Sequence, residues 1–155
     1  MNKRVEKLIT QQQWGCSKER LKNISQAKNS GMYGELYAGV PKELESNLRY
    51  RQELIEAAYL DPLVGEAIRQ FCKDDILFFI NTFCWVYEPR SRDVLPFITW
   101  EFQDDTILQL IEHLGKKDVL IEKSRDMGAS WMVLTIFFWQ WCFQPYSAMG
   151  LVSRT

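Results

Sequence analysis

The sequence predicts an α/β fold in which a helical N-terminal region is followed by the start of a parallel sheet. Three observations predict it. Residues 41–114 contain several segments whose apolar side chains recur at helical spacing. Residues 119–121 form a short apolar run typical of a buried parallel strand, and a glycine-containing loop and a long apolar helix follow it. Residues 148–153 form a second such run, so the order strand, loop, helix, strand predicts a βαβ unit with a right-handed crossover.

Length and composition describe a chain that folds around a core. Of its 155 residues, 46% are hydrophobic and 14% aromatic, a composition that excludes a wholly disordered or collagen-like protein. The chain is too short for a two-domain enzyme. Four scattered cysteines and one histidine lack the close pairs that a structural zinc site needs. Cys72, Cys84 and Cys142 stand inside apolar runs, where a cysteine is usually a small buried hydrophobe, so we expect a reducing compartment. No apolar run follows the N-terminal cations, so we expect no secretory signal.

Charge is spread unevenly, although the formal net charge is only −1. Residues 1–30 carry seven cations and two anions. This basic segment is either an arm for a nucleic acid or an acidic partner, or a solvated polar segment, and the residues leave both interpretations open.

We divide the chain at residue 60 into two predicted regions. Residues 1–60 form a basic and polar helical region, with a short helix over residues 1–10 and a glycine-punctuated loop over residues 15–39. Pro41 opens the last helix of this region. The apolar stripe of that helix, with charges opposite, consists of Leu44, Leu48, Leu54, Ile55 and Ala58.

Residues 61–155 form the second predicted region. Asp61 and Pro62 predict a helix start, with aspartate as the cap and proline as the first helical residue. Residues 73–75 precede another predicted helix, which Pro89 ends. The apolar side chains at helical spacing in it are Ile76, Phe79, Ile80 and Phe83.

The segment before the βαβ unit is predicted to be extended and then helical. Residues 94–100 are extended, and Pro96 excludes a central strand position. Asp104 and Asp105 predict the start of a helix that ends before Gly115. The helix of the βαβ unit itself is predicted to end at residues 144–146.

The loop between the first predicted strand and its helix has the residue types of a phosphate site. Such a site needs backbone N–H groups at a helix start, a cation and a hydroxyl for Mg²⁺. Gly128 permits close approach of the backbone, Ser130 stands at the helix start, and Lys123 or Arg125 supplies the cation. Against the pattern G-x-x-x-x-G-K-[ST], Ser124 stands near the position of the first glycine and Ala129 at that of the lysine.

This loop resembles the altered Walker A loop of the large terminase subunits of tailed bacteriophages, the ATP-driven motors that package DNA. In part of that family the basic residue stands at the start of the loop, as Lys123 does. Arg125 matches a basic residue that other members carry at the front of the loop. The resemblance covers about residues 75–155.

A second motif agrees with the resemblance. The family has an aromatic segment of the form P-F-x-x-x-x-F-Q before the loop, which contacts adenine, and Pro96, Phe97, Phe102 and Gln103 fit it. A glutamine amide can donate and accept one hydrogen bond each at an adenine edge, while Phe97 or Phe102 stacks on the ring. Residues 151–155 resemble the strand that follows the P-loop helix.

The resemblance implies a P-loop NTPase fold of the terminase type, with residues 61–155 as the first part of the ATPase domain. It implies binding of ATP and Mg²⁺, the metal through Ser130. The implied partners are double-stranded DNA, the portal protein and the small terminase subunit, in the cytoplasm of an infected or lysogenic bacterial host. The implied nucleotide-binding residues are Gln103, Lys123, Ser124, Arg125, Asp126, Met127, Gly128, Ala129 and Ser130.

The residues that catalyse turnover in this family have no match in the chain. No apolar strand ends in Asp-Glu, and the acidic residues of the family's nuclease are missing. We therefore expect the first part of a terminase large subunit, ending two strands into its sheet, without catalytic residues of its own. We also expect the incomplete sheet to expose apolar surface and to promote self-association.

Two other interpretations stay open. Residues 127–153 lack charge, which is long enough for one membrane span at about 127–145, although Gly128, Gln140 and Pro145 interrupt it and we expect no stable insertion. The other is a non-enzymatic helical interaction module, in which the loop residues have no ligand.

Overall fold

The structure is a computed structural model that describes residues 39–125 and 127–152. These residues form a broadly α/β arrangement of helices with one small antiparallel sheet. The predicted helix over residues 1–10, almost all of the loop over 15–39 and the basic segment 1–30 lie outside the described residues. The elements in chain order are α1 (Leu44–Leu60), α2 (Pro62–Asp74), α3 (Ile76–Phe83), β1 (Trp85–Glu88), β2 (Asp93–Pro96), α4 (Glu101–His113) and α5 (Ala129–Phe143).

The chain divides into two compact units between Glu101 and Phe102. The described part of the first unit is residues 39–101, with α1, α2, α3 and the two strands. The described part of the second unit is residues 102–125 and 127–152, with nearly all of α4 and all of α5.

The helix starts of the first unit follow from local capping. Asp61 caps α2 by accepting a hydrogen bond from Leu63 N at 3.0 Å, and Pro62 is the first helical residue, so this prediction is confirmed. Asp75 caps α3 by accepting from Phe78 N at 3.0 Å. The first of these helices, α1, begins at Leu44 and not at Pro41, because the Glu43 carboxylate accepts from the N–H groups of its first turn.

The face of α1 that lies in the core differs from the predicted apolar stripe. Leu44, Leu48 and Ile55 are exposed. The buried residues of this helix are Asn47, Tyr50, Arg51 and Leu54. This face is buried because its polar side chains form hydrogen bonds in the core. The exposure of the leucines costs less free energy than the burial of a polar group without a hydrogen bond would.

The segment after α3 forms a strand in place of the predicted continuous helix to Pro89. α3 ends at Phe83, and β1 pairs antiparallel with β2, with Trp85 opposite Pro96 and Glu88 opposite Asp93. Aromatic and β-branched residues favour this pairing, which a sequence reading of each segment by itself does not reveal. Pro96 is the last residue of β2, in a sheet of two edge strands, which agrees with its exclusion from a central position.

A buried polar network holds α1 against the end of α3. The guanidinium of Arg51 donates from Nε to Asn47 Oδ1 at 2.6 Å, from Nη2 to Asn81 O at 2.8 Å and from Nη1 to Cys84 O at 3.0 Å. The Asn47 amide in turn donates to Asn81 O at 3.0 Å and to Pro41 O at 2.8 Å. With 3% of Arg51 exposed, desolvation lowers its pKa to about 10, so it stays charged at neutral pH.

The same network reaches the segment after β2. Lys42 Nζ donates to Asn81 Oδ1 at 2.9 Å, to Thr99 O at 2.7 Å and to Thr99 Oγ1 at 2.8 Å. Thr99 N donates to Asn81 Oδ1 at 3.0 Å, and the Asn81 amide donates to Leu77 O at 2.9 Å. Asn81 therefore joins three segments that are distant in sequence, and each bond replaces one that its group would make to water.

The helix α4 begins earlier than predicted. It starts at Glu101 and not after the predicted caps Asp104 and Asp105, so Phe102 and Gln103 lie in its first turn. The helix ends at His113, and Gly115 has φ +72°, which confirms the predicted glycine beyond the helix end. The predicted end of the next helix is confirmed as well, since α5 stops at Phe143 and Gln144 is its C-cap.

The two predicted parallel strands are not formed in the described residues. Residues 118–124 and 147–152 have no strand assignment, and Leu120 is 96% exposed. A strand requires a hydrogen-bonded neighbour, and the apolar pattern of each segment does not supply one. No P-loop parallel sheet is present among residues 39–125 and 127–152.

The long uncharged stretch of the sequence contains the helix α5. The helix has 15 residues, fewer than the roughly 20 that a bilayer requires. In the part of the chain that the structure describes, no helix is long and apolar enough to cross a membrane.

Candidate nucleotide-binding loop

The start of α5 is built around Gly128. Its φ of +73° is left-handed, and it stands as the N-cap of α5, with Met132 N donating to Gly128 O at 3.0 Å. Glycine adopts this conformation without the steric cost that a side chain would add. The N–H groups of Ala129, Ser130 and Trp131 precede the first intrahelical bond, and such groups favour an anion at a helix start.

The polar side chains of the loop are exposed. Lys123, Ser124 and Arg125 precede Gly128 in an irregular segment, and all three reach solvent. Ser130 is the second residue of α5 and is also exposed. The structure therefore places two cations and a hydroxyl within a few residues of an uncapped helix start, which is the donor set that binding of a phosphate group requires.

The other loop residues differ in burial. Met127 is half-buried and Ala129 is buried. Asp126, which belongs to the predicted site, lies outside the described residues. Ala129 is the first residue of α5 and occupies the position of the lysine in the standard pattern, so the cations of the loop stand before Gly128.

Gln103 reaches this loop from the first turn of α4. Its Nε2 donates to Met127 O at 3.1 Å, across 24 residues of sequence. A Cβ atom built on Gly128 would lie 2.8 Å from Gln103 Nε2, closer than side chains tolerate. The two predicted motifs are therefore in direct contact, and a residue with a side chain at position 128 would displace the glutamine.

The two predicted stacking residues belong to different units. Phe97 is 7% exposed in the core of the first unit, where its N–H donates to Cys84 O at 2.9 Å. Phe102 lies in the second unit with Gln103 and the loop, and its ring is partly exposed. Of the pair, Phe102 is the residue that the structure leaves accessible to a ligand.

The loop is compatible with a Mg²⁺ ion that binds together with a nucleotide. Among the described residues, no group of three His, Cys, Asp or Glu side chains could hold a metal ion. Mg²⁺ bound with nucleotides takes most of its ligands from phosphate oxygens and water. One exposed hydroxyl at the helix start, that of Ser130, is compatible with such a site.

Sequence reasoning missed two features of this structure. The carbonyl of Met127 accepts the bond from Gln103, and a backbone acceptor leaves no signal in residue type. It also missed the network of Asn47, Arg51 and Asn81, although Asn47 and Arg51 stand at the i, i+4 spacing of one helix face with Leu54.

Comparison of the chain with family models, with curated proteins and with solved structures found no match. The functional assignment therefore depends on the residues of the loop and on their geometry.

Proposed function

We propose that the chain binds ATP with Mg²⁺ through residues 123–130, as the first part of a DNA-packaging ATPase of the terminase type. The observation that carries the proposal is Gly128 in a left-handed conformation at the start of α5. Two exposed cations precede it and an exposed Ser130 hydroxyl follows it, in the order that a phosphate-binding loop requires.

Each loop residue has a distinct role in this proposal. Lys123 and Arg125 neutralise phosphate charge, and the N–H groups at the start of α5 donate to phosphate oxygens. The Ser130 hydroxyl is the protein ligand to the Mg²⁺ that the nucleotide brings, and that ion would offset the charge between neighbouring phosphates.

We also propose that the loop and α5 lie between two parallel strands. Residues 119–121 and 148–153 would be parallel strands on either side of the loop and α5, as in the start of a P-loop sheet. Their apolar composition supports this, and so does the exposure of Leu120, Leu151 and Val152, because apolar side chains in an isolated extended segment gain free energy from burial in a sheet.

The proposed partners follow from the terminase type. Double-stranded DNA would be the translocated substrate, contacted mainly at its phosphates, with the portal protein and the small terminase subunit as further partners in the host cytoplasm. Binding without turnover is proposed for these residues, because ATP hydrolysis needs a carboxylate to orient water and the loop supplies none among its described residues.

The test compares protection by MgATP against thermal unfolding in the wild type and two variants. At a ligand concentration of about 100 Kd, binding to the folded state adds about 2.7 kcal/mol to stability. Lys123→Ala and Ser130→Ala should lose most of that protection. Lys117→Ala and Ser91→Ala, which change exposed residues outside the loop, are the matched controls and should retain it.

Equal protection of all five proteins, or of none, would contradict the proposal. The second outcome would favour the non-enzymatic helical interaction module. One observation supports that alternative, since α1 exposes apolar side chains at Leu44, Leu48, Ile55 and Tyr59 that a partner helix could cover.

A further inference from the structure

We propose that Gln103 is a positioning residue of the loop, and that the loop therefore recognises a nucleoside triphosphate by its phosphates with little discrimination of the base. The inference rests on the nucleotide-binding function proposed above. It assigns Gln103 a role different from the adenine contact that the sequence motif implies.

Burial is the first step of the argument. Gln103 is 4% exposed, although it lies in the first turn of a helix whose neighbouring residues Glu101 and Phe102 are exposed. A ligand that enters from solvent can form hydrogen bonds only with groups it can reach. An adenine edge would reach this amide only after the side chain had left its place.

The bond to Met127 is the second step. The amide nitrogen donates to Met127 O at 3.1 Å, immediately before the residue with positive φ. Moving the glutamine toward a base would break this part-buried bond and take the buried amide out of its place, and both changes are unfavourable. The bond therefore fixes the peptide between Met127 and Gly128, and with it the direction of the N–H groups at the start of α5.

The close approach to Gly128 is the third step. The space that a side chain at position 128 would need is occupied by Gln103 Nε2, at 2.8 Å from the ideal Cβ position. The glutamine and the glycine thus fit each other, and the glutamine acts on the conformation of the phosphate-binding backbone.

The first experiment measures dissociation constants for MgATP, MgGTP and magnesium tripolyphosphate with the full chain, by protection against thermal unfolding. We expect ATP and GTP to bind the wild type within about threefold of each other, and tripolyphosphate to bind as well. Gln103→Met retains the length of the side chain and removes its donor, so it should weaken both nucleotides by the same factor, about tenfold. Gln109→Ala, an exposed glutamine on the same helix, is the control and should change neither.

A preference of the wild type for ATP of about tenfold or more, removed by Gln103→Met, would overturn the inference in favour of adenine recognition. If none of the three ligands protects the wild type, the proposed function fails, and the positioning role is decided by a second experiment that needs no ligand.

The second experiment measures the loss of melting temperature caused by Gly128→Ala in the wild type and in Gln103→Ala. We expect a smaller loss in the Gln103→Ala background, because the contact with the added Cβ is gone while the backbone strain persists. Gly115→Ala is the control, because its φ is also positive, at +72°, but no described residue beyond its two chain neighbours lies within 4 Å of its Cβ position. Its loss should be the same in both backgrounds. Equal losses for Gly128→Ala in both backgrounds would overturn the positioning role.

Discussion

The two units of the molecule treat equally apolar helices in opposite ways. In the first unit, α3 is buried over almost its whole length and lies against α1, α2 and β2. In the second unit, α5 exposes four large apolar side chains on a single stripe, at a spacing of three and four residues. These are Trp131, Leu134, Phe138 and Trp141.

The burial of a helix therefore depends on more than its apolar content. α3 is short and is surrounded by elements that a polar network ties together through Asn81. The described residues near α5 in sequence, 118–124 and 147–152, form no strand. Burial thus depends on neighbours that are themselves held in place, and a helix without them keeps apolar surface in solvent.

The largest expected effect is at the centre of the first unit. Phe78 is completely buried and meets Phe71 and Phe83 edge-on, with ring centroids 6.3 and 6.2 Å away. Phe78→Ala should lower the free energy of unfolding by about 3–5 kcal/mol, through lost burial and the cavity left behind. Trp141→Ala, at a side chain that is 70% exposed, should cost less than about 0.5 kcal/mol. Denaturant unfolding measures both, and equal losses would contradict the contrast between the units.

The next effect concerns the polar network. Arg51→Ala removes three buried hydrogen bonds. Asn47 Oδ1 loses its donor, whereas Cys84 O retains the bond from Phe97 N and Asn81 O the bond from the Asn47 amide. We expect a loss of about 3 kcal/mol in the free energy of unfolding, because three buried hydrogen bonds are lost and the buried Asn47 Oδ1 is left without its donor. Arg49→Ala, an exposed arginine on the same helix, is the control and should cost less than about 0.5 kcal/mol. An Arg51 variant as stable as the Arg49 variant would show that the network contributes little.

A smaller effect is expected on self-association, which the sequence predicts. Trp141→Ser removes the most exposed ring of the α5 stripe and should weaken association about tenfold, as measured by sedimentation velocity. Tyr59→Ser, at an exposed position of α1, is the matched change in the first unit and should leave association unaltered. A wild type that remains monomeric at high concentration, or an equal effect of both variants, would be evidence against association through α5.

The smallest effect is a pH dependence at the start of α1. Hydrogen bonds from Ser46 Oγ and from the N–H groups of Ser46 and Glu45 lower the pKa of Glu43 below its usual 4.5. Because the folded pKa is the lower one, the carboxylate stabilises the folded state above about pH 4.5, and this contribution is lost as the pH falls through the folded pKa. Glu43→Gln should therefore flatten the dependence of the melting temperature on pH below 5, relative to the wild type, by a small amount. An unchanged profile would show that the cap does not influence stability.

Features that depend on neighbouring residues in sequence were predictable. The start of α2 at Asp61 and Pro62, the glycine after α4 and the end of α5 at Phe143 follow from local chemistry. In the candidate site, the place of Ser130 at a helix start was predicted in the same way, whereas the left-handed conformation of Gly128 at the N-cap was not.

Features that depend on distant residues were not predictable. The sequence predicts a helix up to Pro89, but residues 85–88 pair with β2 instead, and the predicted strand at 119–121 finds no partner among the described residues. In both cases the apolar pattern is present, and the presence or absence of a neighbouring strand decides the outcome.

Caps, prolines and glycines act over a few residues, so the amino-acid sequence alone specifies the starts of α2 and α3 and the ends of α4 and α5. It also determined that a glycine-bearing loop with two cations and a serine precedes α5. The burial of Asn47 and Arg51 on α1 and the contact of Gln103 with Gly128 arise from tertiary packing. The physical reason is that burial of a polar side chain is favourable only where its partners are already in place, and those partners come from segments far away in the sequence.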